Sequence, residues 1–514
     1  MHAKIFSATT IGIDAHLIEV EVDISFGLVN FYIVGLPDTA VKESSKRILT
    51  ALKNSGFQLP AKKITVNLAP ADLKKEGTLF DLPIAIGILT AAELLHLKQD
   101  FFHETIFLGE LSLDGSIRFI KGALAIAYDT AKLQKKRIIV PKANAAEAAL
   151  ISGLEVIGVE HITELIAYLR QETHIEPTVN SIDFQNLVTE NEAPDFNQVK
   201  GQTFAKRALQ IAAAGRHNIL FIGPPGAGKT MLAKRLPSLM PPMTFNEILE
   251  TSKIYSISGK LGAQPLIKQR PFRNPHHTIS QAGLVGGGSY PQPGEISLAH
   301  HGILFLDELT EFKKQTLEVL RQPLENKEVN ISRALHSLTF PASFLLIAAL
   351  NPCPCGYLGD KKRRCTCNSV QIARYLEKLS GPLLDRIDLQ INVQSIEYET
   401  IKSNVSGTPS SKDLFAGVQN ALNAQYQRFG TNSQWNASMS SDFVEKSCLL
   451  TIEAEAILKK AFEALHLSMR GYHKVLRVAR TIADIENQKI IDVVHIQEAI
   501  MYRSLDQSLD RFRP

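Results

Sequence analysis

Asn218-Ile-Leu-Phe-Ile-Gly-Pro-Pro-Gly-Ala-Gly-Lys-Thr230 decides the reading of the whole chain. Ile219–Ile222 is an apolar run of strand type, Gly223–Thr230 fits the spacing Gly-x-x-x-x-Gly-Lys-Thr, and Met231–Leu239 begins as a helix. Glycines let backbone N–H groups close around phosphates, and the helix N-terminus adds its partial positive charge. Gly223, Pro224, Pro225, Gly226, Ala227 and Gly228 then form the cradle, Lys229 reaches the β- and γ-phosphates, and the Thr230 hydroxyl holds magnesium. ATP and Mg2+ are the ligands this pattern implies. A chance match in a Gly-rich turn would lack the flanking strand and helix.

The partners of such a loop follow downstream. Ile303-Leu-Phe-Leu306 is a second buried strand, ending in Asp307-Glu308. At a strand's carboxyl end, Asp307 would bind magnesium through water and Glu308 would polarise the attacking water. A third strand, Phe344–Leu350, ends at Asn351, whose amide could orient that water; the competing reading is a turn-forming Asn before Pro352. Leu383-Leu-Asp-Arg-Ile-Asp-Leu389 offers Arg386, either crossing a subunit boundary to a transferring phosphate or simply pairing with Asp385 or Asp388.

Outward from this core, 514 residues suggest about three domains. Residues 1–170 mix strand-like runs (Leu17–Asp23, Lys63–Leu68, Arg137–Val140) with helix-like ones (Thr39–Asn54, Glu147–Ile151, Thr163–Leu169), a compact α/β unit. Residues 171–195 are polar and acidic, a linker; 196–395 alternate apolar strands with helices, a doubly wound parallel sheet. Polar Ser403–Asp413 marks another boundary, and 414–514 read as helices: Leu414–Arg428, Asp442–Leu449, Thr451–Leu465, Arg470–Asn487 and Asp492–Arg503. With 45% apolar and 21% charged residues, disorder and coiled coil are excluded, and a net charge of +4 neither demands nor excludes nucleic acid. The start of the chain lacks a signal-peptide core and no apolar stretch spans a bilayer, so a soluble, cytoplasmic protein with no membrane partner is expected.

Four of the five cysteines fall at Cys353, Cys355, Cys365 and Cys367. Two close thiolate pairs separated by a loop suit a tetrahedral, closed, structural zinc site; unligated thiols and disulfides are the competing readings. Between the pairs, Lys361-Lys-Arg-Arg364 is a basic tip that would grip phosphates if pinned, or a solvated charge run. Cys448 is isolated and reads as a core residue. His276-His277 has no matching ligand cluster and reads as loop or pore contact, with Phe272, Arg273 and Tyr290 nearby suited either to a single strand or to local packing.

The P-loop, the Asp-Glu strand, Arg270-Pro-Phe-Arg-Asn-Pro-His-His-Thr-Ile-Ser280 and Pro293-Gly-Glu-Ile-Ser-Leu-Ala-His300 together resemble the magnesium-chelatase-like branch of AAA+ ATPases, and within it the ComM/YifB proteins. The resemblance implies an α/β fold: a P-loop AAA+ module with a parallel sheet and helices on both faces, an N-terminal Lon-protease-like α/β domain, and a C-terminal helical lid. By resemblance Asn351 matches sensor 1, Arg386 the arginine finger and Arg470 sensor 2, with Arg477 a competing choice seven residues on. A helix-2 insert would span about 255–295. The family implies a hexameric, ATP-driven motor on single-stranded and branched DNA, promoting branch migration in recombination and natural transformation, alongside recombination proteins. Alternatives are a chelatase-type motor remodelling a protein partner and a non-helicase regulatory ATPase. Asn67–Pro83 resembles the Lon catalytic segment, but the serine position falls on Leu79 and the dyad lysine on Ile126, so a catalytically dead domain is expected. Thr78 and Lys121 are the neighbouring substitutes.

Overall fold

A computed structural model describes residues 2–180, 193–262, 265–288, 291–332, 337–360, 362–395, 409–431 and 434–503. Tyr290, Lys361, residues 403–408 of the polar boundary, residues 181–192 of the acidic linker and residues 504–514 of the lid lie outside the described residues. The chain divides into two units: Met1–Leu187 with Phe245–Ile267, and Val188–Thr244 with Lys268–Pro514.

The N-terminal unit is built on a seven-stranded mixed sheet. Its order is Phe31–Val34, Lys63–Ala69, Asp14–Ser25, His2–Ile11, Thr105–Phe107, Arg137–Pro141, Glu155–Val159. Asp14–Ser25 alternates in burial as its period-two sequence predicts, placing Ile18, Val20, Val22 and Ile24 inward. The helix Thr39–Asn54 stands where its spacing puts it, capped by Asp38 accepting from the Val41 N–H. One expected helix moves: Glu147–Ile151 is replaced by Lys142–Ala148. Asn144 and Glu147 are buried polar residues on it, with Asn144 bonded to both backbone groups of Ile120 and to Glu147 at 2.5 Å. Their burial hides the apolar period that would have located the helix. The helix Phe245–Ile257 belongs to this unit, where Ser256 donates to Glu147 at 2.9 Å and the Lys253 ammonium lies 4.6 Å from the Tyr128 ring centre.

The second unit carries a five-stranded sheet in the order Phe272–Arg273, Ile303–Leu306, Leu345–Leu350, Ile219–Ile222, Leu389–Asn392, with every ladder parallel. The inner strands are buried on both faces, which is why they read as unbroken apolar runs. Helices Ser411–Phe429, Ser441–Ser447, Ile452–Ala464, Met469–Ile485 and Val493–Met501 follow, each within a few residues of its expected bounds. They share one core with the sheet: Val475, Val478, Ala479 and Ile482 pack into the same cluster as Ile219 and Ile347. Asp195, expected in the linker, is also tied into this unit. It caps the turn Phe196–Gln198, and its carbonyl accepts from Arg235 at 2.9 Å.

The span expected as an insert narrows. Phe272–Arg273 is an edge strand of the sheet, and after it Gln281–Val285 and Glu295–Leu298 are two helical pieces separated by the small hairpin Gly286–Gly287 with Gln292–Pro293. The interruption is therefore this hairpin. Phe272 packs 5.9 Å from the Phe305 ring and Arg273 forks onto Glu295 at 2.6 and 2.8 Å, so both serve local packing. Among the described residues no helix is long and apolar enough to cross a membrane.

Candidate active site

The P-loop connects the strand Ile219–Ile222 to a short helix, Lys229–Ala233. Gly226 and Gly228 have φ of +76° and +92°, a region side chains avoid. Gly223 is glycine for another reason: a Cβ there would stand 2.1 Å from the Val393 carbonyl oxygen. Lys229 lies at the centre of the loop, donating to the carbonyls of Gly223 and Pro224 at 2.6 and 3.0 Å and to Asn351 Oδ1 at 3.0 Å. Burial lowers its pKa, with Asp307 and Glu308 opposing. Thr230 Oγ1 donates to Asp307 Oδ2 at 2.6 Å, placing the two residues read as magnesium partners side by side. Asn351 follows the strand Leu345–Leu350, and its Oδ1 is held against the P-loop lysine. The predicted P-loop set is thus brought together at the carboxyl edge of the sheet.

Glu308 has a left-handed backbone, φ +52°, and stands exposed. Its Oε2 lies 3.3 Å from Nδ1 of His277, whose ring lies tilted against His276 at 4.1 Å and meets Phe312 edge-on at 6.4 Å. This neighbour is not visible in the sequence because His277 follows a different strand, thirty-one positions earlier. The parallel pairing of Phe272–Arg273 with Ile303–Leu304 is what joins them.

The arginines lie elsewhere. Asn218 precedes the P-loop strand; its amide donates to the Arg386 carbonyl at 2.9 Å, and its own carbonyl accepts from Asp388 and Leu389 at 3.0 Å. Arg386 is therefore at the amino edge of the sheet, five strand residues or about 16 Å from Gly223. Its guanidinium bonds Glu325, and Arg470 Nη2 lies 4.0 Å from the same carboxylate. Arg386 holds the Glu325 carboxyl below its usual range. The two meet in a cavity of about 450 Å³, lined by Arg216, Lys327, Arg386, Arg470, Lys474 and Arg477 against the carboxylates of Glu325, Asp385 and Asp388. Arg470 is exposed, whereas Arg477 is committed to the Met439 carbonyl. Burial works against ionised Asp388, but Lys474, His217 and Arg477 hold it well below the usual carboxylate range. Arg216 and Lys327, at left-handed positions with φ of +56° and +60°, carried no periodic signal. Lys474 did: it falls one helical turn after Arg470.

The four thiols converge. Cys353 Sγ lies 3.4 Å from Cys355 Sγ and 3.6 Å from Cys365 Sγ, and Cys355 Sγ is 3.5 Å from Cys365 Sγ. Cys367 Sγ accepts from the Cys355 N–H at 3.4 Å, and all four sulfurs lie within 4.8 Å of one another. Zinc–sulfur bonds of about 2.3 Å put tetrahedral ligands about 3.8 Å apart, so the set fits that ion, and the cysteines are unbridged. Backbone N–H donors of Tyr357 and Thr366 lower the Cys355 thiol, whereas burial pushes the Cys353 thiol up to about 12.

In the N-terminal unit the positions aligned with the Lon dyad carry no serine and no lysine. Ile126 is buried in the helix Ala123–Lys132, and Leu79 carries no nucleophile. The Thr78 hydroxyl donates to the Glu110 carboxylate, while the Lys121 side chain packs against Gly259, so the substitute pair does not form.

Residues 195–401 match the family described as magnesium chelatase, subunit ChlI; residues 20–144 match subunit ChlI of Mg-chelatase, and 408–503 its C-terminal part. Competence protein ComM of Haemophilus influenzae is 43% identical over 516 residues, covering 99% of each chain. The YifB protein of Escherichia coli is 42% identical over 508 residues, 98% of this chain and 97% of its own. Lon protease 2 of Bacillus subtilis is 28% identical over 174 residues, 31% of this chain and 30% of the protease.

Proposed function

The chain belongs to the ComM/YifB family of magnesium-chelatase-like AAA+ proteins, and on that premise we propose that it is a ring-forming, ATP-driven motor that moves single-stranded or branched DNA. The observation that carries the ring is the separation of its two half-sites. Lys229, Thr230, Asp307, Glu308 and Asn351 gather at one edge of the sheet, and Arg386 and Arg470 at the other. About 16 Å of strand exceeds what an arginine side chain bridges, so these guanidiniums complete the site of a neighbouring protomer. Six cations against three carboxylates leave that cavity electropositive, suited to a triphosphate presented from outside.

The chemistry then divides cleanly. ATP bound with Mg2+ supplies the phosphoanhydride. Thr230 and Asp307 would hold the magnesium, which would neutralise charge on the phosphates; Lys229 would draw charge from the β- and γ-oxygens, and Asn351 would orient the attacking water. Glu308 polarises that water, and His277 fixes the direction of its carboxylate. Arg386 of the adjacent protomer meets the charge developing on the transferred group. A hexamer is the ring size we infer from the family. DNA is favoured as the load by the name of the Haemophilus relative and by the exposed basic residues Lys362, Arg363 and Arg364 at the tip of the cysteine loop. Natural transformation, cytoplasmic residence and contact with recombination proteins follow from the same reading.

The test is ATP-dependent branch migration of a synthetic Holliday junction by the purified full chain. Wild type is expected to separate the junction, and Glu308→Gln to bind ATP and the junction while losing at least about 100-fold in rate. A wild-type ATPase indifferent to DNA and without strand separation overturns the DNA motor.

A further inference from the structure

The cysteine loop leaves the sheet two residues after Asn351 and does not simply project from it. Gly356, with φ +86°, turns the chain between the second thiol and the tip, and a Cβ there would stand 2.6 Å from Pro225 Cδ and 2.8 Å from Pro225 Cγ. The knuckle thus lies directly on the P-loop. Farther along, Asp360 closes the tip by accepting from the N–H groups of Lys362 and Arg363, and its second oxygen accepts from Ser395 at 2.9 Å. Ser395 follows the strand Leu389–Asn392, and next to it the Gln394 carbonyl accepts from Gln202 at 2.7 Å. The same Gln202 amide donates to Ala227 of the P-loop at 3.2 Å. The loop therefore meets the nucleotide cradle at two places, directly through Gly356 on Pro225 and indirectly through Asp360, Ser395 and the Gln202 bridge.

We propose that a zinc ion held by Cys353, Cys355, Cys365 and Cys367 braces the P-loop, making nucleotide affinity depend on the metal. The inference rests on the ATP-site reading above and on nothing concerning DNA. The physical reason is preorganisation. Among the described residues from Cys353 to Cys367 none lies in a helix or strand, so without a cross-link they lack the hydrogen-bond ladder that would fix Gly356 against Pro225. Four metal–thiolate bonds remove that freedom, and backbone N–H groups aimed at the sulfurs set their directions. A cradle held open in advance binds phosphate without the cost of ordering its loop at the moment of binding.

The experiment uses the full chain without DNA, measuring zinc by elemental analysis and affinity by titration with a fluorescent ATP analogue in excess Mg2+. Wild type is expected to hold one zinc per chain. Removing it with a zinc-selective chelator, or substituting Cys365→Ser, should weaken nucleotide binding at least about tenfold. Gly356→Ala separates brace from metal: it should keep its zinc yet bind nucleotide at least about tenfold more weakly, because a left-handed turn and the contact with Pro225 both exclude a methyl group. Fluorescence of Trp435, the single tryptophan, checks that the ATPase unit stays folded. If Cys365→Ser unfolds, Gly356→Ala decides the matter. A protein without zinc overturns the metal; unchanged affinity in the zinc-free protein or in Gly356→Ala overturns the brace. A wild type that binds no nucleotide would instead overturn the ATP site itself.

Discussion

Asp81 and Asp388 are both buried carboxylates beside cations, one in each unit, and they titrate in opposite directions. Asp81 follows Leu79 by two residues and is forked by Arg47 at 2.9 and 3.0 Å, yet burial raises its pKa to about 6. Asp388 lies under the arginine cavity, and there Lys474, His217 and Arg477 together outweigh burial and lower it. One cation against one carboxylate is a structural pair; several cations around one carboxylate leave charge for a guest. The N-terminal unit turns its polar groups to each other, as Thr78 on Glu110 shows. The ATPase unit keeps cations in surplus at its amino edge and a lysine with replaceable partners at its carboxyl edge.

The largest effect should break or confirm that contrast outright. Arg386→Ala is expected to lower ATP turnover about 1,000-fold or more while nucleotide still binds. Thr78→Ala should leave ATP turnover within twofold, and neither it nor wild type should cleave peptides. Lys229→Ala alone should also be inactive. Mixing Lys229→Ala with Arg386→Ala chains then places an intact P-loop beside an intact arginine at about one quarter of randomly formed interfaces, so turnover should reappear. Two dead variants that stay dead on mixing, although they assemble together, would mean that the arginine acts within its own chain.

A smaller effect sharpens the catalytic edge. His277 acts through Glu308, 3.3 Å away, so it is a positioning residue. His277→Ala should lower kcat about tenfold with little change in KM for ATP, since a carboxylate that wanders costs the reaction rather than the binding. Steady-state kinetics checks this split. Equal loss in both parameters would make His277 a structural prop of the loop.

What the sequence made legible follows the range of each signal. The P-loop was readable because its strand, turn and helix are contiguous, and Asp307-Glu308 and Asn351 because each ends an apolar run. The four thiols were readable from spacing alone. His277 beside Glu308, the shared carboxylate Glu325 and the cations Arg216 and Lys327 were not, because pairing between distant strands and left-handed turns leaves no local pattern. The insert is narrower than residues 255–295 for a related reason. Phe272–Arg273 is only two residues of strand, too short for periodicity to announce, and it makes sense only beside Ile303–Leu304. Helix Lys142–Ala148 was displaced because its inward face carries Asn144 and Glu147.

The finest test returns to the two carboxylates. Asp81 has a folded pKa above its unfolded value of about 3.9, so the folded protein binds the extra proton and stability falls as pH rises from about 4 to about 6. A shift of two units corresponds to about 3 kcal/mol at most. Asp388 is depressed, so its contribution is fully present above about pH 4 and disappears as pH drops below that value. The advantage of wild type over Asp81→Asn should therefore shrink as pH climbs from 4 to 6, while its advantage over Asp388→Asn should shrink as pH falls below 4. Urea unfolding followed by Trp435 fluorescence reads the second slope, because that tryptophan lies in the ATPase unit. Hydrogen exchange in the buried helix Asp81–Ala91 reads the first. Slopes of the same sign would mean that Arg47 satisfies Asp81 as fully as the cavity satisfies Asp388, and the distinction between a closed pair and a surplus of cations would fall with it.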